Sequence, residues 1–156
     1  MEIKFKLNGK EIKAEAEADT ILLDFLREQG CYSVKRGCET ANCGLCTVLM
    51  NKKSVLSCSI LAVQADGQEI VTLEGMQKEA EEFGDFLANE GAEQCGFCNP
   101  GFIMNVFAML EEIEEPTEVE ILEHMAGNLC RCSGFVGQTR SILKFLEYKK
   151  GGKKEA

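Results

Sequence analysis

Gly37-Cys38-Glu39-Thr40-Ala41-Asn42-Cys43-Gly44-Leu45-Cys46 is the stretch on which the reading of this chain turns. It spaces three cysteines as C-x4-C-x2-C, and Cys58 follows after eleven further residues. Thiolates at the first three spacings are those that hold a [2Fe–2S] cluster. Each iron needs two thiolates, so a tight loop must wrap the group and the fourth ligand must arrive from a separate element. Gly37 and Gly44 are expected to supply unusual backbone angles and to let amide N–H groups approach the sulfurs. Those dipoles, rather than basic side chains, would offset the negative charge. The competing reading is a structural zinc site. The x4 spacing beside the Cys43/Cys46 pair favours the binuclear cluster.

Outward from this loop, residues 2–7 and 11–17 read as a β-hairpin. Ile3, Phe5 and Leu7 alternate with charged residues, and Asn8-Gly9 is a hairpin-turn dipeptide. From Thr20 the period becomes helical: Ile21, Leu22, Phe25 and Leu26 share a face, Asp19 or Thr20 is placed to cap it, and Gly30 ends it. Residues 47–50, 55–58 and 69–73 read as short strands. Beyond Gly75 the texture is helical, with helices expected at 77–90, 100–113, 117–126 and 136–149. Pro100 suits a first helical turn, Thr117 with Glu120 forms a capping box, and Gly127 is placed to close the third helix. The division expected is 1–75, 76–150 and a disordered polar tail at 151–156.

The helical part carries its own cysteines, Cys95-x2-Cys98 and Cys130-x-Cys132, 31 residues apart. Cys98 just precedes Pro100, which sets the group at a helix N-terminus where the dipole favours anionic ligands. Arg131 adds positive charge between its two thiols. Two such pairs on helix-flanking loops can meet across a four-helix bundle. Taken alone this pattern reads as a metal site, iron–sulfur or zinc.

Composition narrows the classes. The 156 residues carry 17 basic and 26 acidic groups, a net charge of −9, which repels phosphate and anionic lipid and argues against nucleic-acid and membrane-surface partners. Residues 76–156 hold most of it, at −7 against −2 for residues 1–75. The longest uncharged run, Gln94 to Leu110, is too short and broken to span a bilayer. No secretion signal is legible at the N-terminus, so the expected compartment is the cytoplasm. Nine cysteines, an odd number, in such a chain argue for metal rather than a disulfide framework, and a single His excludes sites built mainly from imidazole.

Taken together, residues 37–49, the stretch Gln94-Cys95-Gly96-Phe97-Cys98-Asn99-Pro100-Gly101 and the stretch Gly127-Asn128-Leu129-Cys130-Arg131-Cys132-Ser133-Gly134 resemble the iron–sulfur subunits of the xanthine dehydrogenase, or molybdenum hydroxylase, family. The resemblance covers roughly residues 3–148. It implies an α+β chain: an N-terminal β-grasp domain like plant-type ferredoxins, then a C-terminal four-helix domain, each with one [2Fe–2S] cluster. It also implies hetero-oligomeric assembly. Electrons would leave a molybdopterin-bound molybdenum centre on a large subunit and pass the cluster of Cys95, Cys98, Cys130 and Cys132. They would then pass the cluster of Cys38, Cys43, Cys46 and Cys58 and reach FAD on a medium subunit. Gln94 matches the family glutamine that hydrogen-bonds the pterin, and Cys132 the cysteine whose sulfur lies against it. Substrate would be oxidised on the partner, with no substrate pocket here. The runs 26–30 and 33–38 are most similar to purine or xanthine dehydrogenase subunits. Leu45 stands where Ala is common, the segment 78–91 replaces a usual His-Pro run, and Ser133 and Phe135 replace Thr and Tyr. The rival reading is a free-standing two-cluster electron carrier.

Other residues carry plainer readings. Cys31 matches no ligand position and is expected to pack as a small apolar side chain. His124 is expected at the surface or an interface. Phe102, Met104, Phe107 and Met109 read as bundle core, and residues 111–115 as solvated acidic surface.

Overall fold

The hairpin at the N-terminus sets the sheet. In this computed structural model, which describes residues 1–152, β1 (Glu2–Leu7) pairs antiparallel with β2 (Lys10–Glu15), placing Phe5 opposite Ile12. Asn8 and Gly9 between them both have positive φ, 50° and 80°, the backbone that a two-residue hairpin turn demands. The helix α1 (Leu22–Glu28) buries Leu22, Leu23, Phe25 and Leu26. They pack on Ile3, Phe5, Val48 and Ile70 of the sheet, with Phe5 and Phe25 rings 5.7 Å apart. Strands β3 (Thr47–Met50), β4 (Lys53–Leu56) and β5 (Glu69–Val71) complete a five-stranded sheet of order β2-β1-β5-β3-β4. Only β1 and β5 run parallel, with Leu7 beside Ile70. One helix across this mixed sheet is the β-grasp arrangement expected.

Four helices follow: α2 (Gln77–Asn89), α3 (Asn99–Glu112), α4 (Glu118–Met125) and α5 (Phe135–Gly152). Their shared core is Phe83, Leu87, Phe102, Val106, Met109, Ile121, Ile142 and Phe145. Phe145 stands edge-on to Phe83 at 5.2 Å and to Phe86 at 5.5 Å, pairs worth about 0.5–1.5 kcal/mol each beyond burial. Phe102 and Met109 are buried in this bundle core and Phe107 packs partly buried against it, whereas Met104 is buried against Leu49 of β3, between helix and sheet. Thr117 and Glu120 form the capping box, with Glu120 N–H donating to Thr117 Oγ1 at 3.3 Å.

The structure differs from the sequence reading at several ends. Neither Asp19 nor Thr20 caps α1. Ile21 holds that position without a side-chain bond, and the Leu22 N–H donates instead to the Ile60 carbonyl at 2.7 Å. The strand expected at 55–58 spans Lys53–Leu56. It stops because Ser57 turns both its N–H and its hydroxyl to the Cys46 carbonyl, at 3.3 and 2.8 Å. Cys58 therefore sits in a short 3-10 turn, Ser57–Ser59. Leu73, expected in the last strand, also enters a 3-10 turn, Leu73–Gly75. Gly151 and Gly152, assigned to the tail, belong to α5; residues 153–156 lie outside the described residues. No described helix is long and apolar enough to cross a membrane.

Glu74 fastens the end of the first unit back onto the loop that follows α1. Its carboxylate accepts from the Ser33 N–H at 2.8 Å and hydroxyl at 2.6 Å, and from the Thr72 hydroxyl at 2.6 Å. Burial alone would raise its pKa, but these donors outweigh burial and hold it below the usual 4.5. The ionised form is therefore favoured by folding. Its contribution is complete above the unfolded pKa and is lost as pH falls through the lowered folded value. Glu74→Gln is expected to lose about 1–3 kcal/mol at neutral pH. The deficit should shrink on acidification below 4.5. Thermal unfolding of both forms across that range measures it; a deficit independent of pH would contradict the assignment.

Candidate metal centres

The first loop is built by backbone more than by side chains. Gly44 has φ of 72°, and a Cβ there would fall 2.5 Å from the Gly127 carbonyl. Gly37, by contrast, has no left-handed backbone. It is needed for space, since a Cβ would meet Leu45 Cδ2 at 2.8 Å and Cys43 Sγ at 3.3 Å. The Thr47 hydroxyl donates to the Gly44 carbonyl at 2.7 Å and locks the loop onto β3.

This folding brings all four thiols of the first set together. Cys38 pairs with Cys43 and Cys46 with Cys58, and the two pairs lie close enough for Cys43 to act electrostatically on Cys46. Backbone N–H groups of Thr40, Asn42 and Cys43 point at the Cys38 sulfur and lower its pKa to about 6. Burial, followed by the neighbouring Cys58, pushes Cys46 up to about 11. Arg36 lies near Cys58, but its guanidinium is held by Asp24 at 2.6 and 2.7 Å. Amide dipoles are the principal positive charge at the sulfurs, as expected.

The second set gathers at two helix N-termini, those of α3 and α5. Cys132 Sγ lies 3.5 Å from Cys95 Sγ, and Cys98 contacts Cys130. All four line one cavity of about 480 Å³ together with Phe97, Leu129 and Phe135. Burial works against ionising Cys130, but N–H groups of Gly134, Cys132 and Ser133 prevail and lower its pKa. The Phe97 N–H, 3.5 Å from Cys95 Sγ, lowers Cys95 in the same way. Burial, then Cys130, raises Cys98 to about 11.

All nine cysteines are free thiols. Among the described residues, no three ligand-type side chains close on one point as a single ion would require. The thiols meet in twos. Two sulfurs bound tetrahedrally to one metal at about 2.3 Å stand about 3.8 Å apart, close to the 3.5 Å of Cys95 and Cys132. Paired donors lined with backbone N–H groups suit a binuclear cluster. Several crowded thiols cannot all ionise without metal, so binding releases protons as the metal takes up their charge.

The two sets meet at a tight seam. The Leu129 N–H donates to the Cys43 carbonyl at 2.9 Å, linking a first-set residue to the neighbour of Cys130. Asn128 Nδ2 donates to the Gly44 carbonyl at 3.2 Å, and Asn105 Nδ2 holds Asn128 Oδ1 at 2.7 Å. Gly101 of α3 lies directly on the Gly44 carbonyl and the Leu45 backbone. Gly127 has no positive φ; its place is against Gly44 rather than as a helix stop. Asn105 and Asn128 were not singled out from sequence. The available signal was Asn105, the lone polar side chain in the apolar run 102–110.

The remaining expectations resolve simply. Cys31 is buried in the sheet core, and burial raises its pKa. His124 is half-buried beside the seam, with Nε2 lacking a partner. Gln94 is exposed next to Cys95. Cys95 and Cys132 are exposed too, in a cavity shared with the exposed apolar side chains of Phe97, Leu129 and Phe135.

Paired thiol sets of this kind, one on a β-grasp loop and one between helices, define a two-cluster iron–sulfur protein. Residues 5–83 match the family described as 2Fe-2S iron-sulfur cluster binding domain, and residues 72–143 match the [2Fe-2S] binding domain. The nicotinate dehydrogenase small FeS subunit of Eubacterium barkeri is 42% identical, over 86% of this chain and 87% of the relative. The xanthine dehydrogenase iron-sulfur-binding subunit of Escherichia coli O157:H7 is 45% identical, over 90% and 91%. A chain of quinoline 2-oxidoreductase from Pseudomonas putida 86 superposes with a TM-score of 0.88 at 36% identity, covering 97% of both. The chain belongs to the iron–sulfur small-subunit family of the xanthine dehydrogenase type, the molybdenum hydroxylases.

Proposed function

We propose that this chain relays electrons within a molybdenum hydroxylase, with Cys38, Cys43, Cys46 and Cys58 holding one [2Fe–2S] cluster and Cys95, Cys98, Cys130 and Cys132 the other. Residues 1–75 form the first cluster unit and 76–150 the second. Each cluster, when bound, takes up and gives back one electron. The protein's part is to fix the two groups relative to each other and to tune their charge. The observation that carries this reading is the backbone bond from Leu129 to the Cys43 carbonyl, which joins the two thiol sets through one amide.

The open edge formed by Cys95, Cys132 and Gln94, with its apolar rim, supports docking of a molybdopterin-binding large subunit there. Gln94 would hydrogen-bond the pterin and Cys132 would bring the cluster edge against it. The first set, on the sheet side, would pass electrons to an FAD-binding medium subunit, in a cytoplasmic hetero-oligomer. The relatives' names cite nicotinate, xanthine and quinoline. Since these differ while the small chain's architecture is shared, substrate choice belongs to the partner.

Metal and sulfide analysis of the native complex tests the reading. The expected result is two iron and two acid-labile sulfide for each four-thiol set, with two distinct electron-paramagnetic signals on reduction. Stoichiometric zinc without sulfide would end it, and a chain that purifies alone with both clusters would favour the free-standing carrier.

A further inference from the structure

We propose that Gln138 raises the reduction potential of the second cluster by donating its carboxamide N–H to the Cys98 sulfur; this rests on the two-cluster reading above. Nε2 stands 3.9 Å from Cys98 Sγ, within reach of an N–H···S bond. The side chain is only 3% exposed, in the first turns of α5. Its Oε1 is buried with no partner, and the residue lines a small cavity with Phe102, Met125 and Phe135. A buried amide with a bare oxygen is destabilising. Leucine or methionine would fill the same volume among these apolar neighbours without that penalty. What offsets it lies at the nitrogen.

The local packing aims the amide. Gly137 presses α5 onto Ala92, where an added Cβ would stand 3.2 Å from Ala92 Cβ, and so draws this turn toward the loop that carries Cys95 and Cys98. Asn99 meets the Cys98 thiol only with its Oδ1, at 3.8 Å, an acceptor that offers a ligated sulfur no donor. Gln138 acts from the dry side, where a dipole is felt more strongly.

A donor N–H draws charge from a thiolate. The reduced cluster carries one more negative charge than the oxidised one, so the donor stabilises it more and the potential rises. One electron enters and one leaves; Gln138 keeps both amide protons, so the shift carries no proton uptake.

Redox titration of the native complex, followed by electron-paramagnetic resonance, tests this with Gln138→Leu and Gln138→Met. Both are expected to lower the midpoint of one signal by ~3–10-fold in reduction equilibrium, at 59 mV per tenfold for a one-electron couple, and to leave the other signal in place. Ser141→Ala, which removes a buried bond to the Gly137 carbonyl one turn away, should lower thermal stability and move neither midpoint. Unchanged midpoints at full iron content overturn the proposal. In the unsubstituted complex, glutamine labelled with 15N at the side chain should show hyperfine coupling to the second cluster; its absence overturns the proposal even where the variants lose metal. Absence of two clusters in the unsubstituted complex would instead refute the reading beneath it.

Discussion

Cys130→Ser is expected to remove one of the two reduced-state paramagnetic signals and half of the iron and acid-labile sulfide bound by the chain. Cys130 collects the N–H groups of Gly134, Cys132 and Ser133, and it lies against Cys98. With Cys95 it is one of two sulfurs of the second set whose ionisation the backbone favours. A serine hydroxyl at the same place does not ionise near neutral pH and offers iron a poor ligand. The first set should survive, because its cover at this point is the Leu129 N–H, a main-chain group the substitution leaves alone. Metal analysis and spectra of the variant complex decide the matter. Retention of both signals would remove Cys130 from the ligand set, and loss of both would mean that the seam transmits the damage.

Gly101→Ala should be strongly disruptive for a single added methyl. The new carbon would land on the Gly44 carbonyl oxygen and within 3.0 Å of the Leu45 backbone. All of these are main-chain atoms with no flexible end to yield. Either α3 moves off the first loop or the loop deforms around its thiols, at about 1–3 kcal/mol. The melting temperature of the complex should fall by several degrees, and transfer between the clusters should slow. Gly84→Ala serves as the contrast: it lies within α2 with nothing near its added carbon, and it should stabilise by about 0.5–1 kcal/mol. Equal behaviour of the two variants would mean that the close approach at Gly101 is not limiting.

What could be read in advance followed from local chemistry. Cysteine spacing marks a grip whatever surrounds it, and Asn8-Gly9 permits few backbones besides a tight hairpin. The second hairpin was harder, because its turn is Asn51-Lys52, both at positive φ, and lysine there carries no turn signal. The cap of α1 was misplaced because its first amide is satisfied by Ile60, distant in sequence. Gly37 was given an angular role when its reason is the bulk of Leu45. Asn105, Asn128 and Gln138 were missed for one reason: each earns its place through a partner on another element, and nothing in its own neighbourhood of sequence announces that partner.

The bond from Leu129 to Cys43 also has a meaning in time. At synthesis rates of roughly 5–20 residues per second, the first cysteine loop leaves the ribosome about 4–17 seconds before the residue that closes over it. The earlier centre is thus laid down as an open cradle, and a delivery machinery that acts during translation meets it from the side that the finished chain later seals.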